Sequence, residues 1–325
     1  MVYTPAIPGL AGGDGHAGWV VTASQQLLNL YECNPGGGAD ALMMMHSQAT
    51  EFRMVDLQVE GSQRLLLGAS KDMATRRECV SLHSLDINGN FMGLAGRLGL
   101  PPANTPQAAA PPSASQLATQ VASLHHLGKP LAHCCAAAYG NSIVVYPTTI
   151  VPGEIPKQKA IWAAHSAPIT SLRCSAFGMH MVSGAADGTV HLWDLRNKPT
   201  APASRFQQRG PVTGVHLLND ASLATCSRDA SLQLWDVRRP ATPVHTVTSP
   251  DNRGIVRMAA SVIGDTLAFA SEVGGIYVVD LIDMACTLTT VAAAGRQPVQ
   301  SLTWNSRTGH ILAASQSLLV VYTQH

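Results

Sequence analysis

Charge is scarce in this chain: Asp, Glu, Lys and Arg make up only 13 % of its 325 residues, roughly half the usual share in a soluble protein. Lys+Arg 21 against Asp+Glu 20 leaves a formal charge of +1. That balance excludes a general nucleic-acid binder, which needs a basic surface to displace counterions. It equally excludes an acidic disordered tail or a polybasic membrane anchor. The sparse charge has two readings: solvated faces built from Ala, Ser and Gln, or a surface partly covered by partners. Long apolar runs are missing as well. Ser317 to Tyr322 falls far short of the ~18 residues a spanning helix needs, so no membrane insertion is expected. No Lys or Arg precedes the first apolar stretch, which argues against a secretory signal. The seven cysteines, Cys33, Cys79, Cys134, Cys135, Cys174, Cys226 and Cys286, form no CxxC pair. They read as reduced, mostly buried thiols of an intracellular protein.

Motifs of catalysis and cofactor binding are equally lacking. There is no Gly-x-Ser-x-Gly elbow, no HExxH and no paired-carboxylate spacing. Cys33-Asn-Pro-Gly-Gly-Gly-Ala-Asp40 is rich in glycine, but no Gly-Lys-Ser/Thr follows, so a phosphate cradle is not expected. His125, His126, His133, Cys134 and Cys135 form the densest group of metal-capable side chains. Adjacent residues on a strand point to opposite faces, so Cys134 and Cys135 cannot both ligate one ion without a bulge. The expectation is a non-enzyme with no cofactor, no metal and no small-molecule substrate.

What is present is apolar and repeated. Hydrophobic residues make up 46 %, enough for a sizeable core in a chain this long. Val182-Ser-Gly-Ala-Ala-Asp-Gly-Thr-Val-His-Leu-Trp-Asp-Leu-Arg196 aligns without a gap to Ala224-Thr-Cys-Ser-Arg-Asp-Ala-Ser-Leu-Gln-Leu-Trp-Asp-Val-Arg238, with Trp193 and Trp235 42 residues apart. An apolar run, a polar turn and an alternating run ending in Trp-Asp describe two strands joined by a tight hairpin. Fainter copies extend the series: Tyr31, His83, Tyr146, Trp193, Trp235, Val279 and Tyr322 are separated by 52, 63, 47, 42, 44 and 43 residues. Periods in the low forties belong to four-stranded propeller blades, and seven markers predict seven blades.

On these residues the chain resembles the WD-repeat β-propeller family, most specifically in blades four and five. The resemblance implies an all-β, single seven-bladed propeller over residues 1–325, whose loops and edges bind other proteins. It also implies a buried network of a strand Ser/Thr, a His before the first strand, a turn Asp and the Trp. Blade four matches with Ser183, His165, Asp187 and Trp193. Blade five keeps Thr225, Asp229 and Trp235, with Gln208 near the histidine position. The long gap after His83 contains Gly93 to Gln120, with five prolines among Ala and Ser, read as a flexible loop of blade three.

Between Arg196 and Arg257, nine basic residues face four acidic ones, a net +5. Arg196, Lys198, Arg238 and Arg239 all follow Trp-Asp ends, so they should gather at one rim. Solvated loop charge is one reading; a contact patch for an acidic protein surface is the other. Two functional classes follow from resemblance. Blades four to six resemble a small WD-repeat subunit of the nuclear pore's Y-shaped complex in Leu232-Gln-Leu-Trp-Asp-Val-Arg238 and Pro240, Pro243 and Val244. That implies a scaffold subunit of a large assembly, in the cytoplasm or at the nuclear envelope. The repeated Trp-Asp-x-Arg also resembles substrate receptors of cullin-type ubiquitin ligases. At the chain ends, Ile7 to Gly12 and Trp19 to Ala23 read as the first two strands of blade one. Met1 to Thr4 is then left to clasp a closing blade that is otherwise three-stranded.

Overall fold

The computed structural model describes residues 2–4, 19–24, 27–33, 42–49, 52–60, 65–72, 78–85, 91–99, 118–124, 134–147, 160–175, 179–196, 201–261, 265–281, 298–304, 310–315 and 319–322. These contain strands and no helix, gathered into seven antiparallel sheets whose strands run in chain order. The first holds β1 (Val2–Thr4), β2 (Trp19–Ser24), β3 (Leu27–Cys33) and β4 (Leu42–Ala49). The second holds β5 (Phe52–Glu60), β6 (Leu65–Asp72), β7 (Glu78–Leu85) and β8 (Phe91–Gly99). In the third are β9 (Ala118–Leu124), β10 (Cys134–Tyr139), β11 (Ser142–Pro147) and β12 (Ala160–Ala163). The fourth comprises β13 (Ile169–Cys174), β14 (His180–Ala185), β15 (Thr189–Asp194) and β16 (Ser204–Gln207). The fifth comprises β17 (Val212–Leu217), β18 (Ser222–Ser227), β19 (Ser231–Asp236) and β20 (His245–Thr248). Among the described residues the last two have three strands each: β21 (Ile255–Ala260), β22 (Thr266–Ser271) and β23 (Ile276–Asp280), then β24 (Ser301–Trp304), β25 (Ile311–Ala314) and β26 (Leu319–Tyr322).

Each of the seven markers lies on the third strand of one sheet, from Tyr31 on β3 to Tyr322 on β26. The core sits between successive sheets rather than inside any one. Val190 and Phe206 of the fourth sheet pack with Val212 and Trp235 of the fifth, and Cys226 and Leu232 of the fifth pack with Phe269 and Val279 of the sixth. Central strands are therefore covered on both faces and read as continuous apolar runs, as all six residues of β10 do. Cys134 and Cys135 are both buried there.

The first strand of a sheet carries a recurring bulge. One residue has no partner in the ladder at Val55, Thr119, Thr170, Thr213 and Val256. A bulge bends the strand and re-aims its side chain. At Thr170 and Thr213 the hydroxyl uses that freedom to donate to the next sheet, to Val212 O and Ile255 O, each at 2.6 Å.

Two expectations from the sequence need correction. Val2–Thr4 pairs with Trp19–Val21 as the first strand of the first sheet, so it does not clasp the last one; Ile7 to Gly12 lies outside the described residues. The presumed loop over 93–120 has strand at both ends, β8 up to Gly99 and β9 from Ala118. Residues 100–117 thus connect two sheets, and they too lie outside the described residues.

Candidate functional site

In the fourth sheet the repeat residues form a directed chain of hydrogen bonds. The Trp193 indole N–H donates to Ser183 Oγ at 2.9 Å, and Ser183 Oγ lies 2.7 Å from His165 Nε2. His165 Nδ1 lies 2.7 Å from Thr189 Oγ1, and that hydroxyl donates to Asp187 Oδ1 at 2.6 Å. Thr189 spends its one proton on Asp187, so His165 must carry its proton on Nδ1 and accept at Nε2 from Ser183. One neutral tautomer satisfies every member. Thr189, which the tetrad read from sequence omits, is the link between histidine and aspartate.

Ser183 and Trp193 are fully buried, while Asp187 is the exposed end of the chain. Burial, aided by neighbouring His191 and opposed by Asp187 and Ser183, depresses the His165 pKa to about 4. Burial pushes the Asp187 carboxyl up, but the hydroxyls of Ser166 and Thr189 and the Thr189 amide outweigh it and hold the pKa at about 2. His191 stacks on His165 with centroids 4.1 Å apart and rings 10° from parallel, and its Nδ1 lies 2.8 Å from Ala164 O.

The fifth sheet rebuilds the same chain without histidine. Trp235 Nε1 donates to Thr225 Oγ1 at 2.8 Å, and Gln208 Nε2 donates to the same oxygen at 2.5 Å. Ser231, the repeat counterpart of Thr189, donates to Asp229 Oδ1 at 2.5 Å and lies within 3.1 Å of Gln208 Oε1. His191 has its counterpart in Gln233, 42 residues on. Both histidines of one repeat are thus glutamines in the next. A hydroxyl at 189 and 231 and a ring-or-amide pair at 165/208 and 191/233 were the sequence signals for these residues.

The basic residues at the Trp-Asp ends do not behave alike. Arg196 is exposed but folds onto Asp194: Nε lies 2.9 Å from Oδ1, and a terminal guanidinium nitrogen lies 2.6 Å from Oδ2. Those hydrogen bonds hold the Asp194 pKa down and raise that of Arg196. Arg238 and Arg239 are both exposed and have no ion pair among the described residues. The Asp236 carboxylate instead accepts the Arg238 backbone N–H at 2.9 Å. Lys198 lies outside the described residues. Met179 and Val244, at 37 % and 56 % exposure, are the large apolar side chains exposed near this end of the two sheets.

Residues 156–194 and 202–236 match the family model "WD domain, G-beta repeat", so these two segments are WD40 repeats, a repeat family that is generally non-catalytic. The chain is similar to a guanine nucleotide-binding protein subunit beta of Oryza sativa subsp. japonica, 28 % identical over 141 residues, covering 41 % of this chain and 36 % of that protein. A ribosome biogenesis protein WDR12 homolog of Nematostella vectensis is 31 % identical over 83 residues, 24 % of this chain and 20 % of that one. A 66 kDa stress protein of Physarum polycephalum is 26 % identical over 77 residues, 24 % and 13 % of the respective chains. The matched segments span 13 to 36 % of these relatives' lengths. Among the described residues no helix is long and apolar enough to cross a membrane.

Proposed function

We propose that this chain is a non-catalytic scaffold, a seven-bladed propeller that binds other proteins as a subunit of a large assembly, with the nuclear pore as the particular candidate. The observation that carries the scaffold reading is the pair of rigid hydrogen-bond chains, which anchor blades four and five while leaving charged ends exposed. A ring is supported by the packing of each sheet's first strand on the next, with β1 also lying against β24 of the last sheet. The contact patch is the rim of Arg196, Lys198, Arg238 and Arg239, facing an acidic protein surface. Within it Arg238 and Arg239 carry the contact, because Arg196 is already held by Asp194. The same ion pair ties the Arg of one Trp-Asp-x-Arg motif to its own Asp, which weighs against the alternative reading as a substrate receptor of a cullin-type ubiquitin ligase. Affinity purification of the full chain with mass spectrometry tests the reading. A stoichiometric, salt-resistant set of partners that is lost on R238E/R239E supports it; recovery of a ligase adaptor with a cullin overturns it.

A further inference from the structure

The connection from β19 to β20 reads Val237-Arg-Arg-Pro-Ala-Thr-Pro-Val244. Its base is pinned, since Val244 N–H donates to Leu234 O at 2.7 Å and Arg239 N–H donates to Asp236 O at 2.9 Å. Between these ties, Arg238, Arg239, Ala241 and Thr242 are all exposed. The Thr242 hydroxyl makes no hydrogen bond among the described residues, so no partner has to be given up for it to react. Pro243 lacks an N–H and disfavours helical geometry at Thr242, and the chain bends there with the threonine exposed to solvent. Thr4, Thr105 and Ser249 also precede prolines; of these, Ser249 is 1 % exposed and donates to Asp251 at 2.7 Å. Burial and bonding exclude Ser249 where Thr242 is open.

We propose that Thr242 is a phosphorylation site for a proline-directed serine/threonine kinase, and that its phosphate switches off the Arg238/Arg239 contact. The kinase base takes the hydroxyl proton while Thr242 Oγ1 attacks the γ-phosphorus of Mg-ATP. The bond to the β,γ-bridging oxygen breaks, and ADP leaves. The product carries about −1.5 to −2 at neutral pH and strong acceptor oxygens, three and four residues from two arginines in the same pinned loop. Charge-assisted pairs with those guanidinium groups occupy the donors that an acidic partner would use. This second half rests on the rim reading above; the modification itself does not.

The test uses the purified full chain with a proline-directed kinase and Mg-ATP, and peptide mass spectrometry to locate the phosphate. Expected is phosphate on the Thr242 peptide, abolished in T242A and strongly reduced in P243A, with circular dichroism unchanged. Phosphate absent from Thr242, or unaffected by P243A, overturns the site. Binding of a fluorescein-labelled oligoglutamate peptide at low salt then reads the switch. Phosphorylation should weaken it at least tenfold, and R238E/R239E should abolish it without any kinase. If Thr242 is modified and binding is unchanged, the switch is wrong. If the unmodified wild type does not bind at all, the rim reading fails and with it the switch, while the modification site stands.

Discussion

Ser183 is the residue on which the fourth sheet's hydrogen bonds converge, because its oxygen serves both Trp193 and His165. Ser183→Ala leaves a buried indole N–H and a ring nitrogen unpaired, a cost of ~2–4 kcal/mol. Asp187→Ala should cost less, ~1 kcal/mol, since the carboxylate is exposed and water can replace it. Asp220→Ala removes only an exposed carboxylate 3.8 Å from His180 and should leave the melting midpoint close to wild type. Midpoints of the three variants check the order. Titration adds a second expectation. His165 and His216 both have pKa values lowered to about 4 from 6.5, in each case chiefly by burial. The unfolded chain therefore binds more protons between these values. Stability should be fully present above pH 6.5 and fall as pH drops toward 4, by up to about 1.4 kcal/mol per pH unit for each group. His165→Gln, which copies the fifth sheet, should flatten that slope in urea titrations at pH 7 and 5.

The two hairpins differ at one backbone position. Gly188 has φ 83°, and a Cβ there would meet Gln208 O at 2.5 Å. Its counterpart Ala230 has φ 68° with a side chain in place, and the left-handed region costs a non-glycine residue ~1–2 kcal/mol. Ala230→Gly should therefore raise stability by about 0.5–1 kcal/mol after the entropy glycine loses on folding. Gly188→Ala should lower it by more than that, and chemical denaturation distinguishes the signs. Packing between sheets is as tight. A Cβ on Gly184 would lie 2.5 Å from Val212 Cγ1 and 2.9 Å from Val215 Cγ1, so Gly184→Ala should force the fourth and fifth sheets apart at a cost of ~1–3 kcal/mol. Thr213→Val keeps the shape at the bulge but removes the donor to Ile255 O, and should cost about 1 kcal/mol.

Over the whole molecule, stability is unevenly spread. Sheets four and five combine apolar packing with polar chains. In the sixth the corresponding pair is Phe269 and Val279, which supplies apolar packing alone. Among the described residues β26 is hydrogen-bonded on one side only, to β25, whereas β15 lies between β14 and β16. A strand paired on one edge leaves alternate amides facing away from the ladder. Hydrogen exchange should therefore be faster at Leu319–Tyr322 than at Thr189–Asp194 in the isolated protein. Full protection of β26 would show its outer edge to be covered.

How much was legible in advance follows from how far each interaction reaches along the chain. The Trp-Asp hairpins, the low-forties period and the seven markers are local and periodic, so alternation and turn chemistry display them directly in the residues. Gln208 could be placed near the histidine position because the repeat carries its register with it. Thr189 could not be assigned as the relay, because its role depends on which way protons point between residues 165, 183 and 187, and spacing has no sign for that. Nor does sequence distinguish Arg196 from Arg238, since both follow Trp-Asp and only the folded end decides which guanidinium a carboxylate captures. The sequence leaves the place of Val2–Thr4 open for the same reason. Three apolar-to-polar residues can join any ladder, and only the tertiary structure, by offering Trp19–Val21 as a partner, decided which sheet they complete.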